Sequence, residues 1–270
     1  MKVCLVTGVS SGIGLATALD LLGAGYVVYG AGRRVERMDV VRAAGGHVVP
    51  TDLCDPDAVD RLVETVVAEQ GRIDVLVSNA GTVLHGAVED VPLDKAREYL
   101  DLNLLAPARL AQLVLPHMRA QGSGTIVNVS SVAGEIAMPL GGWYYAAKHG
   151  LEALSDTLRM EVGQFGIDVV IIQPGIIRTE FGDHSADQLR EYSGEGAYRD
   201  MAGAMAGRMG SGPDQQGSEA TVVAEVVRRA IEADQPETRY AVGLMAEDLL
   251  RLGRTLPDRA FDEMVLRSVR

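Results

Sequence analysis

The chain predicts an α/β fold in which one parallel sheet is covered by helices on both faces, and three observations carry that prediction. Short strand-like runs alternate with longer amphipathic stretches through the first two thirds of the sequence, the rhythm of βαβ units. The runs are continuously apolar and β-branched instead of alternating, as strands buried on both faces must be. No linker-like change of composition interrupts the chain as far as Pro174, which favours one domain.

In order, the run from Val3 to Val6 opens the sheet and stops at Thr7-Gly8. A helix from Ile13 to Leu22, a strand from Tyr26 to Tyr29, a helix from Val35 to Ala44 and a strand from His47 to Val49 follow. Asp55-Pro56 starts the helix from Pro56 to Glu69. The aspartate caps it, and proline at the first helical position lacks only an N–H that would go unused. The strand from Ile73 to Val77, one long helix from Leu93 to Arg119 and the strand from Thr125 to Val129 come next. A helix from Trp143 to Gln164 and a strand from Ile167 to Gln173 complete the regular part.

After Pro174 the rhythm loosens. Residues 182–217 are rich in Gly, Ala, Met, Asp and Gln, and Gly210-Ser211-Gly212-Pro213 is a breaker. Met201, Met205 and Met209 recur every four residues, a spacing that suits helix packing or the lining of a lid equally well. A helix from Glu219 to Ala233, a short strand from Arg239 to Val242 and a helical tail interrupted at Pro257 close the chain. The expected organisation is a single domain over 1–270: a core in 1–180, a substrate loop or lid in 181–217, and C-terminal helices with the last strand in 218–270.

Composition narrows the function classes. With 47% hydrophobic and 23% charged residues, 270 residues can bury a sizeable core. The 31 glycines follow no G-X-Y period, which excludes a collagen-like chain. A net charge of −12 repels nucleic acid and anionic lipid, so neither is expected as a partner. Cys4 and Cys54 are too few for a disulfide scaffold and lack C-x-x-C spacing. The histidines show no metal-ligand spacing, and no metal is expected. The N-terminal apolar run is far too short for a signal peptide, and no stretch approaches the ~18 apolar residues of a membrane span. A cytoplasmic protein is the expectation.

The first motif is Gly8-Val9-Ser10-Ser11-Gly12-Ile13-Gly14, directly between the first strand and the first helix. Such a turn offers free backbone N–H groups and the positive end of a helix dipole to an anion, and glycine admits a pyrophosphate close to the backbone. The spacing G-x-x-x-G-x-G is neither the standard dinucleotide fingerprint nor a Walker A loop, since no Gly-Lys-Ser/Thr follows. Where an NAD-binding chain places an acid against the ribose 2′-hydroxyl, this sequence reads Gly32-Arg33-Arg34. No carboxylate there repels a 2′-phosphate, and an arginine fork can grip one. NADP(H) is therefore the expected cofactor, with two solvated surface arginines as the plainer alternative.

The second motif is Tyr144 and Lys148, four apart on one helix face, behind Ser130-Ser131 at a strand end. A free phenol, with a pKa near ~10, is a poor proton donor at neutral pH, and a nearby ammonium would lower it. Taken alone, Y-x-x-x-K arises often by chance on amphipathic helices.

Together with Thr7-Gly8-x-x-x-Gly12-x-Gly14, the Ser78-Asn79-Ala80-Gly81 turn, Asn103, Ser131 and Pro174-Gly175 followed by Thr179, this pair makes the chain resemble a classical short-chain dehydrogenase/reductase over about residues 1–180. The resemblance implies a Rossmann-type doubly wound sheet and NADP-dependent interconversion of a carbonyl compound and its alcohol. It implies Tyr144 as general acid or base, Lys148 as the group that lowers its pKa and holds the nicotinamide ribose, Ser131 as the residue polarising the substrate oxygen, and Asn103 as anchor of a proton-supplying water chain. Cofactor contacts would come from Gly8, Ser10, Ser11, Gly12, Ile13, Gly14, Arg33, Arg34, Asp52, Leu53, Asn79, Ala80, Gly81, Pro174, Gly175, Ile177 and Thr179, beside Tyr144 and Lys148. Arg33 takes the position that marks NADP preference, and Ser78 departs from the asparagine usual in the family. Homo-oligomers are usual in the family, as dimers or tetramers.

A ketoreductase for a hydrophobic or mid-sized substrate is thus the leading expectation. A catalytically silent dinucleotide-binding regulator or scaffold is the alternative, because fold and motif do not prove turnover. An epimerase or dehydratase of the extended relatives is disfavoured by the glycine spacing and the length.

Overall fold

A computed structural model describes residues 1–209 and 216–269, with Ser268 by its backbone alone. The predicted breaker Gly210-Ser211-Gly212-Pro213 lies outside the described residues. Seven strands, β1 (Val3–Thr7), β2 (Val27–Gly32), β3 (His47–Pro50), β4 (Val75–Ser78), β5 (Gly124–Val129), β6 (Ile167–Pro174) and β7 (Arg239–Val242), form one sheet in the order β3-β2-β1-β4-β5-β6-β7. Every pairing is parallel. The order reverses at β1, which pairs with both β2 and β4, and this creates a crevice beyond the carboxyl ends of those strands.

The helices are α1 (Gly12–Gly23), α2 (Asp39–Ala43), α3 (Pro56–Gln70), α4 (Leu93–Leu100), α5 (Ala106–Gln121), α6 (Gly142–Val162), α7 (Phe181–Ser193), α8 (Arg199–Met209), α9 (Ala220–Glu232), α10 (Ala246–Thr255) and α11 (Asp258–Ser268). Alternate strand residues feed two cores. Leu5, Leu76 and Ile126 pack against Leu62 and Val66 of α3 and Leu110 and Val114 of α5. Cys4, Val6, Val77 and Val127 pack against Leu21 of α1 and Val223, Val227 and Ile231 of α9. The sheet is therefore doubly wound, and the continuously apolar runs have their reason.

Several elements differ from the sequence expectation. β2 runs on through Gly30-Ala31-Gly32, paired on both sides, although glycine weakens strands; glycine is needed at position 30, where a Cβ would lie 2.6 Å from Val9 Cγ2. The single helix expected from Leu93 to Arg119 is instead α4, a π-helical turn at Asp101–Leu105, and α5. The stretch from Val35 to Ala44 is a 3₁₀ turn (Val35–Met38) leading into α2. The loosened segment after Pro174 is largely helical. Its α8 packs Met205, with Met201 and Met209 alongside, against Leu189 and Ala186 of α7, so the methionine spacing serves packing. The expected strand β7 and the break at Pro257 are where the sequence puts them.

Candidate active site

Thr7 ends β1 and knits the crevice together. Its hydroxyl donates to the Val77 carbonyl at 3.3 Å and accepts from the Asn79 and Ala80 amides, each at 3.0 Å. Asn79 Nδ2 returns a bond to the Thr7 carbonyl at 2.9 Å. Two glycines are demanded by this packing. Gly8 sits at φ +76°, and a Cβ there would meet Ala80 Cα at 2.8 Å; one on Gly14 would meet Asn79 Nδ2 at 2.3 Å and the Gly8 carbonyl at 2.4 Å. The N-terminus of α1, from Gly12 through Ile13 to Gly14, thus opens onto the crevice with its first amides lacking intrahelical partners. Pro174 ends β6, and Gly175, Ile177 and Thr179 follow; a Cβ on Gly12 would be 3.2 Å from Thr179 Cγ2, so the two turns face each other closely. The free amides of this glycine turn, at a helix N-terminus that carries no side chain at Gly12 or Gly14, fit a dinucleotide pyrophosphate.

At the exit of β2 the two arginines diverge. Arg33 is exposed, whereas Arg34 turns over the glycine turn, with Nε and one terminal nitrogen on Ser10 Oγ at 3.2 and 3.0 Å and that nitrogen also 2.8 Å from Ser11 Oγ. Of the pair after β3, Asp52 is exposed and accepts from the Cys54 amide, while Leu53 is buried in the core.

Asn103 sits in the π-helical turn, 2% exposed. Its Nδ2 donates to the Tyr99 carbonyl at 2.9 Å and its Oδ1 accepts from the Thr82 amide at 3.2 Å, which pins it beneath Gly81. An extra residue in one helical turn is what lets the side chain leave the helix ladder for a neighbouring loop.

Ser131 follows β5 and Tyr144 lies in the first turn of α6. Ser131 Oγ donates to the Pro174 carbonyl at 3.4 Å and accepts from the Ala133 amide at 3.1 Å, and it lies close enough to the Tyr144 hydroxyl to act on its titration. Lys148 is buried one turn on, its Nζ donating to the Val129 carbonyl at 3.0 Å. Burial raises the Tyr144 phenol, and the neighbouring Ser131 hydroxyl pulls it back down. Burial also brings Lys148 down to about 8, against an opposing pull from Glu152. In both groups burial works against the charged form. Two hydroxyls converging at a strand end can hold one substrate oxygen and pass it a proton.

Sequence reasoning missed three neighbours. His85 stacks at a tilt on Tyr144, ring centroids 5.4 Å apart; it is buried with Nδ1 unpartnered, and burial lowers it to about 4. Tyr99, whose hydroxyl also lacks a partner, is raised by burial and by the nearness of Tyr144. Glu180, after Thr179, accepts from Arg34 at 2.9 Å and from Arg37 at 2.6 Å. Neither histidine spacing nor helix periodicity signals any of these, since each contact joins distant segments.

The family model described as short chain dehydrogenase matches residues 2–190. The probable short-chain type dehydrogenase/reductase VdlC of Helicobacter pylori is 32% identical over 260 residues, covering 96% of this chain and 95% of that protein. The NADPH-dependent 3-dehydrocapnine reductase of Ornithobacterium rhinotracheale is 32% identical over 286 residues, covering 100% of this chain and 98% of that one. Among solved structures, a short-chain dehydrogenase from Streptomyces avermitilis superposes with a TM-score of 0.79 at 32% identity, over 98% of this chain and 97% of that one. No helix among the described residues is long and apolar enough to cross a membrane. The doubly wound sheet, its glycine turn and the match along most of the chain make this protein a classical short-chain dehydrogenase/reductase, an oxidoreductase of a family that binds nicotinamide dinucleotides.

Proposed function

We propose that the protein interconverts a carbonyl compound and its alcohol with NADP(H), as a ketoreductase for a hydrophobic or mid-sized substrate. The observation that carries the reading is the nearness of the Ser131 hydroxyl to the Tyr144 phenol at the carboxyl end of the sheet, with buried Lys148 one turn on. The nicotinamide, when bound, supplies or takes the hydride. Ser131 would hold the substrate oxygen where negative charge develops, and Tyr144 would give it a proton from the phenol, or take one in the reverse direction. Lys148 would reach the nicotinamide ribose from Val129, and Asn103 would anchor the water chain that resupplies the proton.

Support for NADP(H) comes from Arg33 and Arg34 at the exit of β2 and from the NADPH-dependent relative. Gly8, Ser10, Ser11, Gly12, Ile13 and Gly14 would receive the pyrophosphate, Asp52, Leu53, Asn79, Ala80 and Gly81 the adenosine side, and Pro174, Gly175, Ile177 and Thr179 the nicotinamide side. The substrate loop or lid expected over 181–217, of which α7 and α8 are the described helices, belongs to this reading. A cytoplasmic homo-oligomer accompanies this reading, as is usual for the family.

NADPH consumption against a panel of ketones and aldehydes tests it. The expected result is turnover that falls by at least ~10²-fold in kcat in Tyr144→Phe, with NADPH affinity kept. NADPH binding without reduction of any carbonyl, or oxidation of any alcohol with NADP, would favour the silent dinucleotide-binding alternative.

A further inference from the structure

Each of the three guanidinium nitrogens of Arg34 has a partner within the protein. Nε and one terminal nitrogen hold the Ser10 and Ser11 hydroxyls on the glycine turn, and the other terminal nitrogen meets Glu180 Oε2 at 2.9 Å. The second oxygen of the same carboxylate takes Arg37 at 2.6 Å. Glu180 therefore bridges the two arginines from the far side of the crevice, carried on the segment that leaves β6 and enters α7. All three side chains are between 40 and 46% exposed, so the bridge lies at the water-facing edge and is open to exchange.

This edge, just past β2, is where the fold places the adenosine ribose, and where arginine serves a 2′-phosphate. A phosphomonoester carries about −1.5 to −2 charges near neutral pH and three acceptor oxygens. It competes for the same N–H groups that the carboxylate occupies, and two anions at one fork repel each other. A ribose with a free 2′-hydroxyl makes no such demand and can leave the bridge standing.

We propose that Glu180 is an internal competitor for the 2′-phosphate: its carboxylate occupies Arg34 and Arg37 in the cofactor-free protein and must be displaced when a 2′-phosphorylated dinucleotide binds. Glu180 then sets how strongly the protein prefers NADPH over NADH, in the direction of weakening that preference. The inference rests on the NADP(H) reading above and adds to it a residue with a defined sign.

The test is calorimetric titration of NADPH and of NADH into the wild-type protein and into Glu180→Gln, which keeps the shape and removes the charge. Two exposed ion pairs set the scale, so the variant should bind NADPH about 3–10-fold more tightly while NADH binding stays within about 2-fold. Added salt should narrow the gap between the two proteins, because the competition is between exposed charges. Unchanged NADPH affinity, or an equal change for both dinucleotides, overturns the proposal. Weaker NADPH binding in the variant also overturns it, and would make Glu180 a residue that holds the arginines in place for the phosphate. If neither protein distinguishes NADPH from NADH, the NADP(H) reading falls together with the proposal, a pattern none of the other outcomes produces.

Discussion

His85 is a neutral imidazole sealed against the ring of Tyr144, and its burial makes protonation costly. Its pKa, about 4 in the folded chain, lies below the ~6.5 of an unfolded histidine, so the unfolded state binds the proton first as the pH falls. The stability it contributes is present above about pH 6.5 and is lost towards pH 4. Urea denaturation near pH 7 and near pH 4.5 should show wild type losing about 2–3 kcal/mol more than His85→Phe. An equal loss would mean that the imidazole titrates normally. At this scale the sequence was partly legible. Tyr144 and Lys148 share a helix face by spacing and Ser130-Ser131 sit at a strand end, but it is the set of motifs together, through the family they resemble, that singles out Tyr144, Lys148 and Ser131. His85 and Glu180 acquire partners only through folding: His85 Nδ1 has none to match, and Glu180 meets arginines 143 and 146 residues away.

The β1–α1 turn is the least forgiving element. A methyl group on Gly14 would sit 2.3 Å from Asn79 Nδ2 and 2.4 Å from the Gly8 carbonyl, and neither can retreat, because Asn79 is bonded to Thr7 and Gly8 to Ala31. Gly14→Ala should cost about 1–3 kcal/mol by overpacking and loosen dinucleotide binding, read from urea midpoints and from cofactor titration. The order of this element was legible because strand, turn and helix each carry their own signal. α4 and α5 were not separable by periodicity, since a π-helical turn shifts the phase by one residue without breaking the apolar pattern. α7 and α8 were hard to read because α8 carries two glycines and α7 is mostly polar, with few apolar positions to mark a face; their apolar contacts with each other support the helices.

Across the whole molecule, one ion-pair network ties the second half together. Arg239 on β7 reaches Glu152 at 3.0 Å and Asp156 at 2.6 Å, both on α6; Gln173 on β6 bonds Glu152 and Glu135; and Arg254 on α10 holds Glu135 at 2.7 Å. Arginines beside them hold the Glu135 and Asp156 carboxyls below the usual range. Arg239→Met would leave the buried Glu152 without its ion-pair partner, and should cost about 3 kcal/mol in denaturant unfolding. Arg239→Lys should recover part of that loss. The parallel sheet was legible from the βαβ rhythm, but the order in which β4 crosses to the far side of β1 and this network were not, because neither leaves a periodic trace. The extra residue in the turn at Asp101–Leu105 finally makes the chain sensitive to a one-letter edit. Deleting Leu104 would restore an unbroken α-helix and swing α4 by about 100° relative to α5. Tyr99 and Asn103 would leave their buried seats together, so a shortened chain of better helical regularity should be the one that fails to fold.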